Sequence, residues 1–477
     1  MTFTREISRL MFGLLLAFFM IVASAGYWAI VGAEDILQRN DNPRLVEDEA
    51  RIQRGSIYDR QGVLLAQTRS DDNGMLQRIY HYPETYSALG YFSLRYGTAG
   101  AEAAYDDYLR GEIELDTLNS VIQREWLHQP QQGLDIRLTL DRTLQQVIVE
   151  QMTDYSGAVI VLNVPDGAVL GLVSLPTYDP NRLSTEWENF VASDGNPFFN
   201  RALQGQYQPG GMLQTPLMVA GILTQQPFDI VTAAANRPIP VGDMQLNCAR
   251  QPQDADLSYT EAYAYACPFP FALLARELNP SSLQNILAAF RLDSPPRLQG
   301  FVSDDLPVLQ PENTPESMPE LTLMENVIGQ GNLTITPLSM ATIASAIIND
   351  GNAPQPYVLD AYRSQQSTWI PQLPIATSTP LMTADAARRL QGLMIENTRL
   401  GASVPAARDS LTVGAHTALA ISGDEIQTWF IGFVSTGTLE GVAVALVLED
   451  VSDASEAARI GGIILEQAVM STQGISQ

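Results

Sequence analysis

An α+β fold is predicted for the body of this chain, and three observations predict it. Residues 157–163 (GAVIVLN) and 168–174 (AVLGLVS) are β-rich apolar runs joined by Val164-Pro165-Asp166-Gly167. An Asp-Gly turn between two such runs is a strong hairpin signal. Far downstream, residues 428–434 (TWFIGFV) and 441–448 (GVAVALVL) read as two more strands. Helical patterns fill most of the space between, including 281–290 and 337–348. Strands at both ends with helices between imply one sheet completed by distant segments. An amphipathic helix beginning near Arg142 and an apolar-periodic helix over 454–470 flank these strands.

Composition narrows the class. The 477 residues are 45% apolar and 17% charged, which suits a globular chain with a sizeable core and room for two or three domains. A net charge of −26 argues against nucleic acid and anionic lipid as partners, because like charges repel. All 27 basic residues are Arg, so any chemistry that needs a lysine amine is excluded. Cys248 and Cys267, 19 positions apart, fit either a disulfide or free buried thiols. His81, His128 and His416 are scattered, which gives a metal site little support, and no cofactor is expected.

The N-terminal part reads in order. No charged residue occurs between Arg9 and Glu34, about the ~20 residues a helix needs to cross the hydrocarbon core. Arg5 and Arg9 precede the run and acids follow it, which predicts an anchor with the body outside. The alternative is a signal peptide cleaved after Ala23-Ser24-Ala25; the apolar run continues past that point and favours the anchor. Residues 35–135 are polar, with short strand-like runs and a helix-like piece over 101–109. A link at 130–133 leads into the larger domain, and the Pro/Glu-rich stretch 306–320 reads as a loop or small insertion.

Several phrases then carry a resemblance. They are Arg54-Gly55…Tyr58-Asp59-Arg60…Gly62, residues 90–111, and Ser174-Leu175-Pro176-Thr177-Tyr178-Asp179-Pro180-Asn181. Asn200-Arg201-Ala202 and Ile328-Gly329-Gln330-Gly331 with Thr336-Pro337-Leu338…Met340-Ala341 follow in the same order. In this register the chain resembles the class B penicillin-binding proteins, the membrane-anchored D,D-transpeptidases that cross-link peptidoglycan. The resemblance implies a transpeptidase-like domain over 136–477, an antiparallel sheet with helices on both faces. It also implies an elongated N-terminal pedestal module at 34–135 and a transmembrane anchor with a cytoplasmic stub at 1–33. A membrane glycosyltransferase of the SEDS family is the implied partner, contacted through anchor and pedestal.

That family's chemistry rests on S-x-x-K, S-x-N and K-T-G elements. Serine attacks a carbonyl, a lysine one helical turn away takes its proton, and backbone N–H groups hold the oxyanion. Aligned on Pro209-Gly210, Gly211 stands at the serine position and Gln214 at the lysine position. Tyr265-Ala266-Cys267-Pro268 resembles the second element, with Ala266 for serine and Pro268 for asparagine. The third falls on His416-Thr417-Ala418, or on Ala415-His416-Thr417 if shifted by one; neither holds a lysine. Protonated His416 would substitute for the lysine that holds a terminal carboxylate, or else be a partly exposed strand residue. Thr215 reads as a plain helix-start residue, and Arg54, Asp59 and Arg60 as a buried ion-pair network seating the pedestal.

With all three elements degenerate, the chain is expected not to be an enzyme. It reads as a scaffold or regulator in peptidoglycan synthesis or division. Two alternatives stay open: a transpeptidase or carboxypeptidase using non-standard residues, and a module that binds peptidoglycan stem peptides without cleaving them.

Overall fold

The computed structural model describes residues 3–30, 49–71, 74–113, 131–274, 280–294, 296, 298, 301, 320–364, 367–372, 378–437 and 439–473. Helix α1 (Phe3–Ile30) is unbroken, and its Ile7–Tyr27 stretch has a mean hydropathy of 2.1. At 1.5 Å per residue those 21 residues span about 30 Å, the thickness of a bilayer core.

Strands β1 (Ile57–Tyr58), β2 (Leu64–Ser70) and β3 (Leu76–Tyr80) start the N-terminal sheet, and β4 (Tyr91–Ser93) and β5 (Gly97–Ala99) form a hairpin beside it. The helix-like piece over 101–109 is two short helices, Gly100–Ala104 and Asp106–Arg110, with a break at Tyr105. Strand β6 (Ile136–Leu138) pairs parallel with β1, and helix α2 (Arg142–Gln151) follows, capped by Asp141 accepting the Leu144 N–H.

The expected hairpin forms from β7 (Gly157–Val164) and β8 (Val169–Leu175); the helix Leu183–Val191 follows, and helix α3 (Gln214–Leu223) lies beyond it. Helix α4 (Pro337–Ile348) is buried along its whole length. Strands β9 (Leu359–Arg363) and β10 (Trp369–Pro371) return to the N-terminal sheet, whose order is β10-β9-β6-β1-β2-β3. That sheet therefore draws strands from both sides of position 135, and chain order alone does not reveal this.

Helix α5 (Ala384–Leu400) precedes the strands that complete the second sheet. These are β11 (Val413–Ser422), β12 (Glu425–Gly437) and β13 (Glu440–Leu448), and helix α6 (Ala454–Gln473) ends the chain. The sheet is antiparallel in the order β11-β12-β13-β7-β8, so the two terminal strand pairs meet as expected. Alternation along each strand splits its apolar residues between two cores. Ala158, Ile160, Leu162, Ala443 and Ala445 pack with α4, whereas Val159, Val161, Val442 and Val444 pack with α2 and α6. Helices thus cover both faces. The 306–320 stretch lies outside the described residues apart from Glu320, which opens the helix Glu320–Val327.

Of the three residues expected to seat the pedestal by ion pairing, only Arg54 does so. Its guanidinium donates to Glu102 Oε2 at 3.0 and 3.2 Å and to Asp106 Oδ1 at 2.6 Å. Arg78 Nε meets the other Glu102 oxygen at 2.6 Å, and Tyr80 donates its hydroxyl to the same atom at 3.1 Å. Asp59 instead accepts the backbone N–H groups of Gln61 and Val63, which folds the Asp59–Gly62 turn. Arg60 joins through its backbone N–H to Leu140 O. A short polar side chain at a turn is satisfied locally, whereas long Arg54 reaches across the module.

Candidate functional site

Pro209-Gly210 turns the chain into a 3₁₀ segment, Gly210–Leu213, that continues as α3. Gly210 sits at φ +50°, and a Cβ there would lie 2.2 Å from Leu419 O on β11. Behind it, Gly329 at φ +70° accepts the Gly210 N–H on its carbonyl at 2.9 Å. The Ile328-Gly329-Gln330-Gly331 phrase is therefore a backing plate for the turn. Gln208 donates to Gly331 O, Trp429 Nε1 donates to Gln208 O, and Tyr207 donates its hydroxyl to Glu449.

The three segments in which the sequence suggests degenerate elements converge in space. Gln214 Nε2 donates to Cys267 O at 3.3 Å, which ties the first element to the second. His416 Nε2 donates to Gly211 O at 3.1 Å, which ties the third to the first. His416 also stacks on Tyr263, 4.2 Å between ring centroids, and Tyr263 shares a hydrogen bond with Thr215 at 3.0 Å. A Cβ on Gly211 would stand 2.7 Å from the Ala418 Cβ. Ala418 therefore faces Gly211.

What fills the site is packing. Gln214 and Ala266 are 3% exposed, and Thr215, Tyr263, His416, Thr417 and Ala418 are fully buried. Ala266 holds φ +51°, a left-handed conformation that costs an L-residue free energy, and Pro268 starts the helix Pro268–Leu274. Thr417 bonds Ser403 through paired hydroxyls at 2.9 Å. Strand β11 is an edge strand, but side chains occupy much of its outer rim. Thr398 donates to Val413 O, Asn397 donates to Ala415 O, and Gln330 accepts the Ile421 N–H. Those bonds blunt an edge that would otherwise accept another strand. Cys248 and Cys267 form a disulfide that fastens the second element.

Both sequence readings of His416 need correction: it is neither a carboxylate clamp nor partly exposed. Burial pushes its pKa down to about 4, only partly opposed by the bond to Gly211 O, so the ring is neutral at pH 7. Nε2 carries the proton that it gives to Gly211 O, which leaves Nδ1 as an unpartnered acceptor. A folded value below the unfolded ~6.5 means that the unfolded chain takes up a proton first as pH falls. Stability from this group is fully present above pH ~6.5 and declines as pH drops through about 4, by on the order of 3 kcal/mol. His416→Gln should flatten that slope in urea titrations at pH 7, 6, 5 and 4. An unchanged slope would mean that the ring is not neutral in the fold.

Thr215 is the helix-start residue expected, buried and bonded to Tyr263. Tyr263 was missed as a site residue. Tyr263 lies one helical turn before Ala266, and that spacing was the available signal.

The whole arrangement is that of a penicillin-binding transpeptidase domain with a pedestal. A family model described as the penicillin binding protein transpeptidase domain matches residues 157–467, and one described as the penicillin binding protein A dimerisation domain matches 54–134. The chain belongs to the penicillin-binding protein transpeptidase family. It is similar to the peptidoglycan D,D-transpeptidase PbpA of Mycobacterium tuberculosis, 26% identical over 94% of this chain and 96% of that protein. It is also similar to the peptidoglycan D,D-transpeptidase MrdA of Escherichia coli K12, 27% identical over 57% of this chain and 46% of that one. Among solved structures, penicillin-binding protein A from M. tuberculosis, as a ceftriaxone acyl-enzyme complex, superimposes with a TM-score of 0.76. The identity there is 25%, over 89% of this chain and 100% of the other.

Proposed function

We propose that this protein is a non-catalytic member of its family, a membrane-anchored scaffold or regulator of peptidoglycan synthesis. The observation that carries the reading is Gly211. The backbone stands where a nucleophile would, in an intact turn, with no side chain and with Ala418 in the space a Cβ would need. Losing a serine nucleophile costs on the order of 10⁶ in kcat in a serine hydrolase. No lysine exists anywhere in the chain to restore the base, and the hydroxyls of Thr215 and Thr417 are buried and engaged with Tyr263 and Ser403. The burial of Gln214, Ala266 and His416 weighs against a stem peptide entering the old cleft.

The parts kept whole are those a partner would touch: α1, long enough to anchor the chain with its body outside, and the pedestal with its Arg54–Glu102–Arg78 knot. A SEDS-family glycosyltransferase is the partner that fits. The test is a pair of measurements on the full chain in detergent. Incubation with benzylpenicillin should leave the intact mass unchanged, while affinity purification from cell membranes should bring down a polytopic cell-wall synthase. A covalent adduct that survives denaturation would overturn the non-catalytic reading, and absence of any synthase would overturn the scaffold role.

A further inference from the structure

We propose that the chamber between the β4–β5 hairpin and the segment 174–204 binds an uncharged saccharide. Naming that saccharide as cell-wall glycan rests on the function proposed above. The chamber encloses about 360 Å³, within the range of small-ligand sites. This chain carries 53 acids and 27 arginines, yet among the described residues none of them lines the chamber, and no histidine does. A charged ligand would lose its hydration there and find no counter-charge, so the ligand is neutral.

The walls alternate rings with amides and hydroxyls. Tyr178 and Phe198 form one side, 4.6 Å between centroids, held by Trp187 at 4.8 Å from Phe198 and by the Tyr96–Trp187 stack at 4.0 Å. Phe199, still 41% exposed, stands at the same chamber. Opposite chemistry comes from Thr98, Ser174, Asn200 and Gln204. These groups are held before any ligand arrives: Ser174 donates to Phe199 O, Asn200 donates to Ser87 O, and Gln204 accepts the Asn200 N–H. A pyranose ring offers both halves of this pattern, C–H faces that stack on aromatic rings and hydroxyl or acetamido groups that bond to amides. Ser174 and Asn200 already bond within the protein, but an alkyl chain or apolar peptide would strip water from the exposed Thr98 hydroxyl and the Gln204 amide nitrogen and replace none of their hydrogen bonds. The geometry therefore favours sugar over lipid.

Isothermal titration of the full chain with chitotetraose, in a zwitterionic detergent that carries no sugar, tests this directly. Saturable binding is expected, about tenfold weaker in Phe199→Ala and lost in Thr98→Trp, which fills the chamber from an exposed position. Circular dichroism should be unchanged in both variants. No binding up to the solubility limit would overturn the site, as would equal affinity in all three proteins. Preference for an octyl chain over chitotetraose would overturn the ligand class. The outcome is separable from the penicillin result: an adduct with penicillin leaves this titration as it is, and absent sugar binding leaves the unlabelled active site as it is.

Discussion

A fluorescent penicillin should fail to label this protein even after Gly211→Ser and Gln214→Lys restore the first element. The frame for that element is present, so the failure has to come from what surrounds it. A serine Cβ at 211 would sit 2.7 Å from the Ala418 Cβ, closer than real Cβ contacts come. Gly211→Ser alone should therefore destabilise the chain by about 1–3 kcal/mol, the usual cost of overpacking a filled site. Adding Ala418→Gly should recover most of that loss, because the two positions share one space. Labelling should still be absent in the triple variant. Ala266, Pro268 and His416 provide neither the second element's polar groups nor the third element's lysine. The His416 ring also remains bonded to the carbonyl of residue 211 and stacked on Tyr263. Gel fluorescence after boiling in detergent reads the adduct, and urea unfolding reads the stabilities. A labelled double variant would show that Ala418 does not occlude the nucleophile position.

Glu102→Gln should cost about 3–5 kcal/mol, the largest single loss expected in the pedestal. Glu102 is fully buried between Arg54 and Arg78, themselves 3% and 9% exposed. Burial pushes its carboxyl up, but the Arg78 and Arg54 guanidinium groups outweigh that and hold it below the usual range. Neutralising it leaves Arg78 without its carboxylate and Arg54 with only Asp106 close by and a longer contact to Glu49 at 4.0 Å. Arg54 further lies over the Phe92 ring at 4.2 Å, so loss of the knot should also loosen the β4–β5 hairpin. The denaturation midpoint measures the cost, and hydrogen exchange over 91–99 measures the loosening. A loss under ~1 kcal/mol would show that the knot contributes little net stability, as some buried ion pairs do.

Much of this fold was readable because local rules and tertiary demands agree. The β7–β8 and β12–β13 strand pairs, α2, α4 and α6 stand where apolar alternation and helical period put them. The turn ahead of Gly211 was readable too, since its chemistry is local: Gly210 and Gly329 are required by the close approach of backbones. Other features were not readable, for one physical reason. Arg54 and Glu102 are 48 positions apart, His416 and Gly211 are 205 apart, and β9 enters a sheet that begins at Ile57. Nothing in local spacing encodes such contacts, so Asp59 and Arg60 were given a role that Arg78 and Glu102 perform.

The sequence by itself determined that the chain holds no lysine and that Gly211 and Gln214 follow the Pro209-Gly210 turn, because the identity of a side chain needs no coordinates. Only the tertiary structure decided that the space beside Gly211 is occupied. A buried neutral histidine, its tyrosine neighbour and one alanine methyl close the site, and they do so because backbones far apart in the chain approach within van der Waals distance.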